Sequence, residues 1–251
     1  MMYLMTCALV ILVVFGANKA VFAAERPEYT IHRAGMPITI DGRLDEPAWA
    51  AAPDVGAFSF PWYKEGKKEQ TVAKLLWDDE NLYVSYICQD AHISAERVHR
   101  DSEVWKDDCV EVFTAPNPET PDVYFNIEMN CIGAFLDQFH PDGSGVPMKE
   151  EWNGEGIRIA THIQGTLNDE SDEDEYWILE AAIPFKNFSH VAKNAPPMDG
   201  DVWHLNLNRL GGNINPQSSQ WSPAGDGVRS FHQPNDFGKV TFSEKASPFW
   251  R

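Results

Sequence analysis

Hydrophobic and polar residues alternate without a break from Val123 to Asn130. Val123, Phe125, Ile127 and Met129 fall on one face, and Tyr124, Asn126, Glu128 and Asn130 on the other. A strand repeats every two residues, so one face enters a core while the other presents a phenol, two amides and a carboxylate. Upstream, Asp108–Thr114 carries Glu111 between Val110 and Val112, and a Pro- and Asp-rich connection joins the runs. The pair predicts a β-hairpin with a long loop. Asn is depleted in strands, so its recurrence on one face points to a surface chosen for hydrogen bonding, with an ordinary solvated face as the alternative.

The same period predicts further strands. Thr71–Trp77 and Leu82–Gln89 form a second hairpin, and Ile157–Leu167 and Tyr176–Ile183 a third pair across the acidic loop 168–175. Val202–Arg209 sets His204, Asn206 and Asn208 against Trp203, Leu205 and Leu207, and Phe237–Phe242 closes the chain. Ile38–Trp49 reads as a strand, an Asp-Gly turn and one helical turn, with Asp45 as N-cap and Pro47 in the first turn. Gly211–Asp236 is a long Gly/Pro/Ser/Asn loop holding Trp221 and Phe231. Recurrent strands with almost no helical periodicity predict an all-β, antiparallel β-sandwich. Its expected core holds Trp49, Trp77, Val84, Val112, Phe125, Ile127, Leu179, Leu205 and Phe237.

The start of the chain is different. An apolar run, Leu4–Ala17, followed by Val21-Phe22-Ala23, fits a signal peptide over residues 1–23 and is short for a membrane anchor. No Lys or Arg precedes the run, a departure from the usual leader. With no linker or composition break beyond it, residues 24–251 read as one exported domain, secreted, periplasmic or on the cell surface. The 251 residues carry a net charge of −18. That disfavours nucleic acid and, after signal cleavage, anionic membrane as partners, and the oligomeric state stays open. Cys88, Cys109 and Cys131 remain after cleavage, enough for at most one intramolecular disulfide, with the pair unassigned and no zinc spacing. Asp41 and Asp45 suit a metal or, more simply, turn chemistry. The acidic loop 168–175 lacks the spacing of an EF-hand.

Eight segments in order, IDGRLDEPAW, WDDENLYVSYICQD, VWKDDCVEVF, YFNIEMNCIG, WILEAAIPF, WHLNLNRL, QWSPAG and DFGKVTF, resemble the family 9 carbohydrate-binding modules. These belong to the DOMON-like superfamily of jelly-roll-like β-sandwiches. The resemblance implies a non-catalytic protein that holds a mono- or oligosaccharide, often a glycan chain end, between two aromatic rings, in the service of polysaccharide recognition or degradation. It also implies structural calcium, with no cofactor required for chemistry and no metal ligands assignable. Carried over residue by residue, Trp105 matches the first clamp aromatic, and Asp108 and Glu111 the acidic pair. Asn126 and Glu128 match the polar ligands of the next strand. Phe231, from the loop before the terminal Phe-Gly, matches the second aromatic, a position where some members carry Trp. The chemistry suits a pyranose: an aromatic ring covers its apolar C–H face while amides and carboxylates satisfy its hydroxyl rim.

Other classes remain. Glu111 and Glu128 are two carboxylates on neighbouring strands, as a glycosidase needs. Some DOMON-like relatives hold haem through Met and His or Lys, but Met129 points with the core face. No HExxH or GxSxG motif is present, which removes the common zinc and serine hydrolases. A purely structural surface protein would keep the fold without the slot.

Overall fold

The computed structural model describes residues 26–148, 152–225 and 228–247, so the expected leader, residues 1–23, lies outside the described residues. The strands are β1 (Glu28–Arg33), β2 (Thr71–Trp77), β3 (Asn81–Gln89), β4 (Cys109–Ala115), β5 (Tyr124–Asn130) and β6 (Phe135–His140). They continue as β7 (Arg158–Gln164), β8 (Tyr176–Pro184), β9 (Val202–Leu210), β10 (Ser218–Gln220) and β11 (Gly238–Ala246). One short helix, α1, spans Pro47–Ala51.

All eleven strands belong to one mixed sheet, ordered β6-β5-β4-β9-β11-β1-β2-β3-β8-β7, with β10 paired to β9 off the path. This differs from an antiparallel two-sheet sandwich. The join is β1, which runs parallel to β11 through most of its length and parallel to β2 through His32 and Arg33. The sheet curls strongly, and its two halves enclose the core. Val110, Val112, Phe125, Ile127 and Leu205 enter from one half, and Trp77, Val84, Tyr86 and Leu179 from the other. Burying so many large side chains is the main source of stability, about 1.5–3 kcal/mol each relative to exposure.

Two predicted core residues sit elsewhere. Trp49 packs with Ile38, Leu76 and Tyr83 on the outer face of the β2–β3–β8 half. Phe237 joins Phe113, Tyr124 and Phe231 on the outer face of the β4–β5 half. The segment around Trp49 is tied down by Glu180. Its Oε1 accepts from Trp49 Nε1 (2.8 Å), and its Oε2 accepts from the backbone N–H groups of Asp41 and Gly42 (3.0 Å each). Gly42 has φ +81°, and a Cβ there would lie 2.9 Å from the Thr161 carbonyl carbon, so only glycine fits. Residues 38–40 are not a strand. The N-cap of α1 is Glu46 rather than Asp45, and its carboxylate accepts from Thr39 N instead of capping the helix.

Inside the curl, Arg209 is fully buried. Its guanidinium lies 3.0 Å from Asp90 and 3.8 Å from Glu69, and Trp177 Nε1 donates to the same Asp90 oxygen. Cys88, Cys109 and Cys131 are all buried free thiols, so no disulfide forms among them.

Candidate functional site

The outer face of β6-β5-β4-β9 carries the polar residues. Register aligns them into rows. Glu111 of β4 lies directly opposite Glu128 of β5 on one side and Asn208 of β9 on the other. In the next row Phe113 faces Asn126, which faces Gln138 of β6. Strand alternation alone decides this, since Glu111 and Phe113 are two apart and share a face.

Above the first row lies a cavity of about 260 Å³. Glu111 and Glu128 line it together with Gln138, and its apolar wall is Trp105, Phe113, Leu210 and Phe231, with His232 beside them. Trp105 sits on a single 3₁₀ turn, Val104–Lys106, just before β4; Val104 is buried beneath it and the indole is 39% exposed. Phe231 arrives from the opposite end of the chain. Asn206 holds the start of its loop, donating to Ser222 O and accepting from Ser222 N (2.9 Å each). Trp62 then supports it, donating to Val228 O (2.8 Å) and packing on the Phe231 ring with centroids 5.1 Å apart.

The floor is an unusual electrostatic arrangement. Asn208 Nδ2 donates to Glu111 Oε2 (3.2 Å), and Asn126 Nδ2 donates to Glu128 Oε1 (2.8 Å). Behind it, His140 Nε2 donates to Asn126 Oδ1 (2.7 Å), which fixes the amide so that its NH₂ faces Glu128. Glu128 Oε2 and Asn208 Oδ1 are buried and, among the described residues, have no partner. Burial, and then the neighbouring Glu128, hold the Glu111 carboxyl well above the ordinary carboxylate range. Burial raises Glu128 to about 7, against the opposing bond from Asn126. Burial also lowers His140 to about 3, so it stays neutral, and it lowers His232.

Four of the six residues expected at the site therefore line one cavity: Trp105, Glu111, Glu128 and Phe231. Asn126 stands behind them as the support of Glu128. Asp108 does not line the cavity. Its carboxylate accepts from Ser94 N (2.7 Å), Ser94 Oγ (3.0 Å) and Gly212 N (2.6 Å), and so pins two loops together. Residues three apart on a strand face opposite ways, which already separates Asp108 from Glu111 in the sequence. Gln138, His140, Asn208 and His232 were not expected. Asn208 showed the alternation that marks the polar face, but its register against Glu111 comes only from the fold.

Among the described residues no three His, Cys, Asp or Glu side chains converge as a metal site requires. In the acidic loop, Asp174 is spent on the N–H groups of Ile93 and Thr166, and Asn168 on the Ala95 backbone.

The sequence profile described as carbohydrate-binding family 9 matches residues 59–242. The chain belongs to carbohydrate-binding family 9. That span includes every expected site residue. No curated protein matches the chain. Among solved structures, a protein of Bacteroides uniformis ATCC 8492, described as a candidate carbohydrate-binding protein, is similar with a TM-score of 0.72 at 22% identity, over 87% of this chain and 100% of its own. A family 9 module of Caldicellulosiruptor kristjanssonii in complex with cellotriose has a TM-score of 0.59 at 17% identity, over 87% of this chain and 94% of its own. A family 9 module from the same organism in complex with glucose gives 0.59 at 16% identity, covering 86% and 97%. At these identities the likeness establishes a shared family 9 fold.

Proposed function

We infer that this family 9 chain is an exported, non-catalytic carbohydrate-binding protein, and that a sugar ring sits between Trp105 and Phe231 over Glu111 and Glu128. The observation that carries this is one cavity with aromatic walls and, on its floor, the buried Glu128 Oε2, which among the described residues lacks a partner. A buried unpaired polar atom costs about 1–3 kcal/mol, and a sugar hydroxyl supplies what this oxygen lacks. The aromatic faces cover the C–H surface of the same ring. The volume of about 260 Å³ suits one pyranose with the next unit leaving toward solvent, which favours a chain end. The ligands of the Caldicellulosiruptor modules, cellotriose and glucose, belong to the same chemical class.

A glycosidase reading fits less well. Glu111 and Glu128 rise side by side from one floor, both held toward the protonated form, whereas hydrolysis needs carboxylates flanking the scissile bond with one ionised. The test is calorimetry of residues 24–251 against mono- and oligosaccharides, wild type beside Trp105→Ala. Saturable binding that weakens in the variant supports the reading. Equal binding in both removes it.

A further inference from the structure

A sugar in this slot meets two carboxyl groups, so its own charge matters. Glu111 and Glu128 are direct cross-strand neighbours, and the groups that face them decide what they need. From β9 comes Asn208, from β5 Asn126, and from β6 Gln138, all neutral amides. The loop contributes Phe231 and His232, and the turn before β4 contributes Trp105. The nearby cation Lys106 is engaged with Glu103 at the surface. Among the described residues no Lys or Arg lines the cavity and neither glutamate has an ion-pair partner. Glu128, 5% exposed and lining the cavity, has no donor to Oε2 among the described residues.

Two buried carboxyls at this spacing are neutralised in one of three ways. A proton on one of them removes the repulsion but still leaves polar atoms for a ligand to satisfy. An inorganic cation of the calcium type asks for about six to eight oxygens, and no third acidic, His or Cys side chain converges here among the described residues. An ammonium group on the ligand brings both the charge and three donors, and charge-assisted bonds to carboxylates are about twice as strong as neutral ones. The aromatic walls favour a cation as well, through their ring faces. The net charge of −18 draws cations toward the protein.

Resting on the assignment of this slot to sugar, we propose that its preferred ligand is a sugar with a free amine, a hexosamine unit, whose ammonium is held between Glu111 and Glu128. Binding then expels the proton that the free pair holds near neutral pH, because the bound ammonium favours both ionised forms.

The experiment is calorimetry at about pH 7 with glucosamine, galactosamine and mannosamine, beside their N-acetylated and neutral parents. At least one amine is expected to bind about tenfold or more tighter than its two counterparts, with proton release read from buffers of different ionisation heat. Glu128→Gln keeps the shape and removes one charge, so it should erase most of that preference; its melting curve checks the fold. If that variant does not fold, Glu111→Gln serves, and the comparison of amine with N-acetyl amine on wild type already decides. Neutral sugars binding as tightly as the amines would overturn this inference while leaving the sugar slot standing. If neither class binds, the sugar assignment falls and this inference falls with it.

Discussion

Replacing Trp105 by Ala separates a wall of the slot from a member of the core. The indole is 39% exposed, and Val104 beneath it is fully buried. With about 250 Å² for a large aromatic, that exposure leaves about 100 Å² for a ligand to cover. At about 25 cal/mol per Å², full coverage contributes about 2.5 kcal/mol, and half coverage about 1.2. Trp105→Ala should therefore weaken sugar binding about 8- to 60-fold. The cost to folding should stay below about 1 kcal/mol, a fall of a few degrees in melting temperature. Calorimetry gives the first number and a thermal melt the second. A drop of about ten degrees with unchanged affinity would refute the reasoning, because the indole would then be supporting the fold rather than the ligand.

Other outcomes follow from neighbouring residues. Phe231 is only 9% exposed and packs on Trp62, so Phe231→Ala should lower both affinity and stability, the latter by about 3 kcal/mol in a thermal or urea melt. Asp108 and Glu128 are both raised to about 7 by burial, so the folded state binds protons that the unfolded chain gives up near pH 4. Their contribution is complete below the unfolded value and lost as pH rises through about 7, so the melting temperature should fall between about pH 5 and 8, and less steeply in Glu128→Gln. The buried thiols, with Cys88 pushed up to about 12 by burial, should resist alkylation until the protein is denatured, and reductant should leave the melt unmoved. Aryl-glycosides should not turn over; activity abolished by Glu111→Gln would restore the glycosidase reading.

Much of the polar outer face was legible because strand alternation is a local property. Glu111, Asn126 and Glu128 could be assigned to one surface from their spacing alone, and Trp105 from its position between charged residues. What alternation cannot supply is pairing. The join of the two halves rests on parallel contacts of His32 and Arg33 with Leu76 and Trp77, more than forty residues away, so a sandwich and a single curled sheet read alike. Strand β6 carries no clear signal, because Phe135–His140 mixes Asp, Gln and His into a short segment, and Gln138 and His140 lie within it. The segment before α1 looked like a strand, but its backbone N–H groups are satisfied by the side chains of Glu46 and Glu180 rather than by a neighbouring strand. Asp108, three residues before Glu111, has an odd offset that puts it on the other face, where it accepts from Ser94 and Gly212.

The most direct test of the slot is chemical-shift mapping of the labelled protein during a sugar titration, following the Trp indole N–H signals, the Phe231 ring and the Glu side-chain carboxyls. The account predicts saturable shifts concentrated on Trp105, Phe231, Glu111 and Glu128, with Trp49 and Trp177, buried away from the slot, unmoved. Shifts centred instead on the second cavity, lined by Ser94, Asp107 and Asn168, with Trp105 and Glu128 silent, would contradict it.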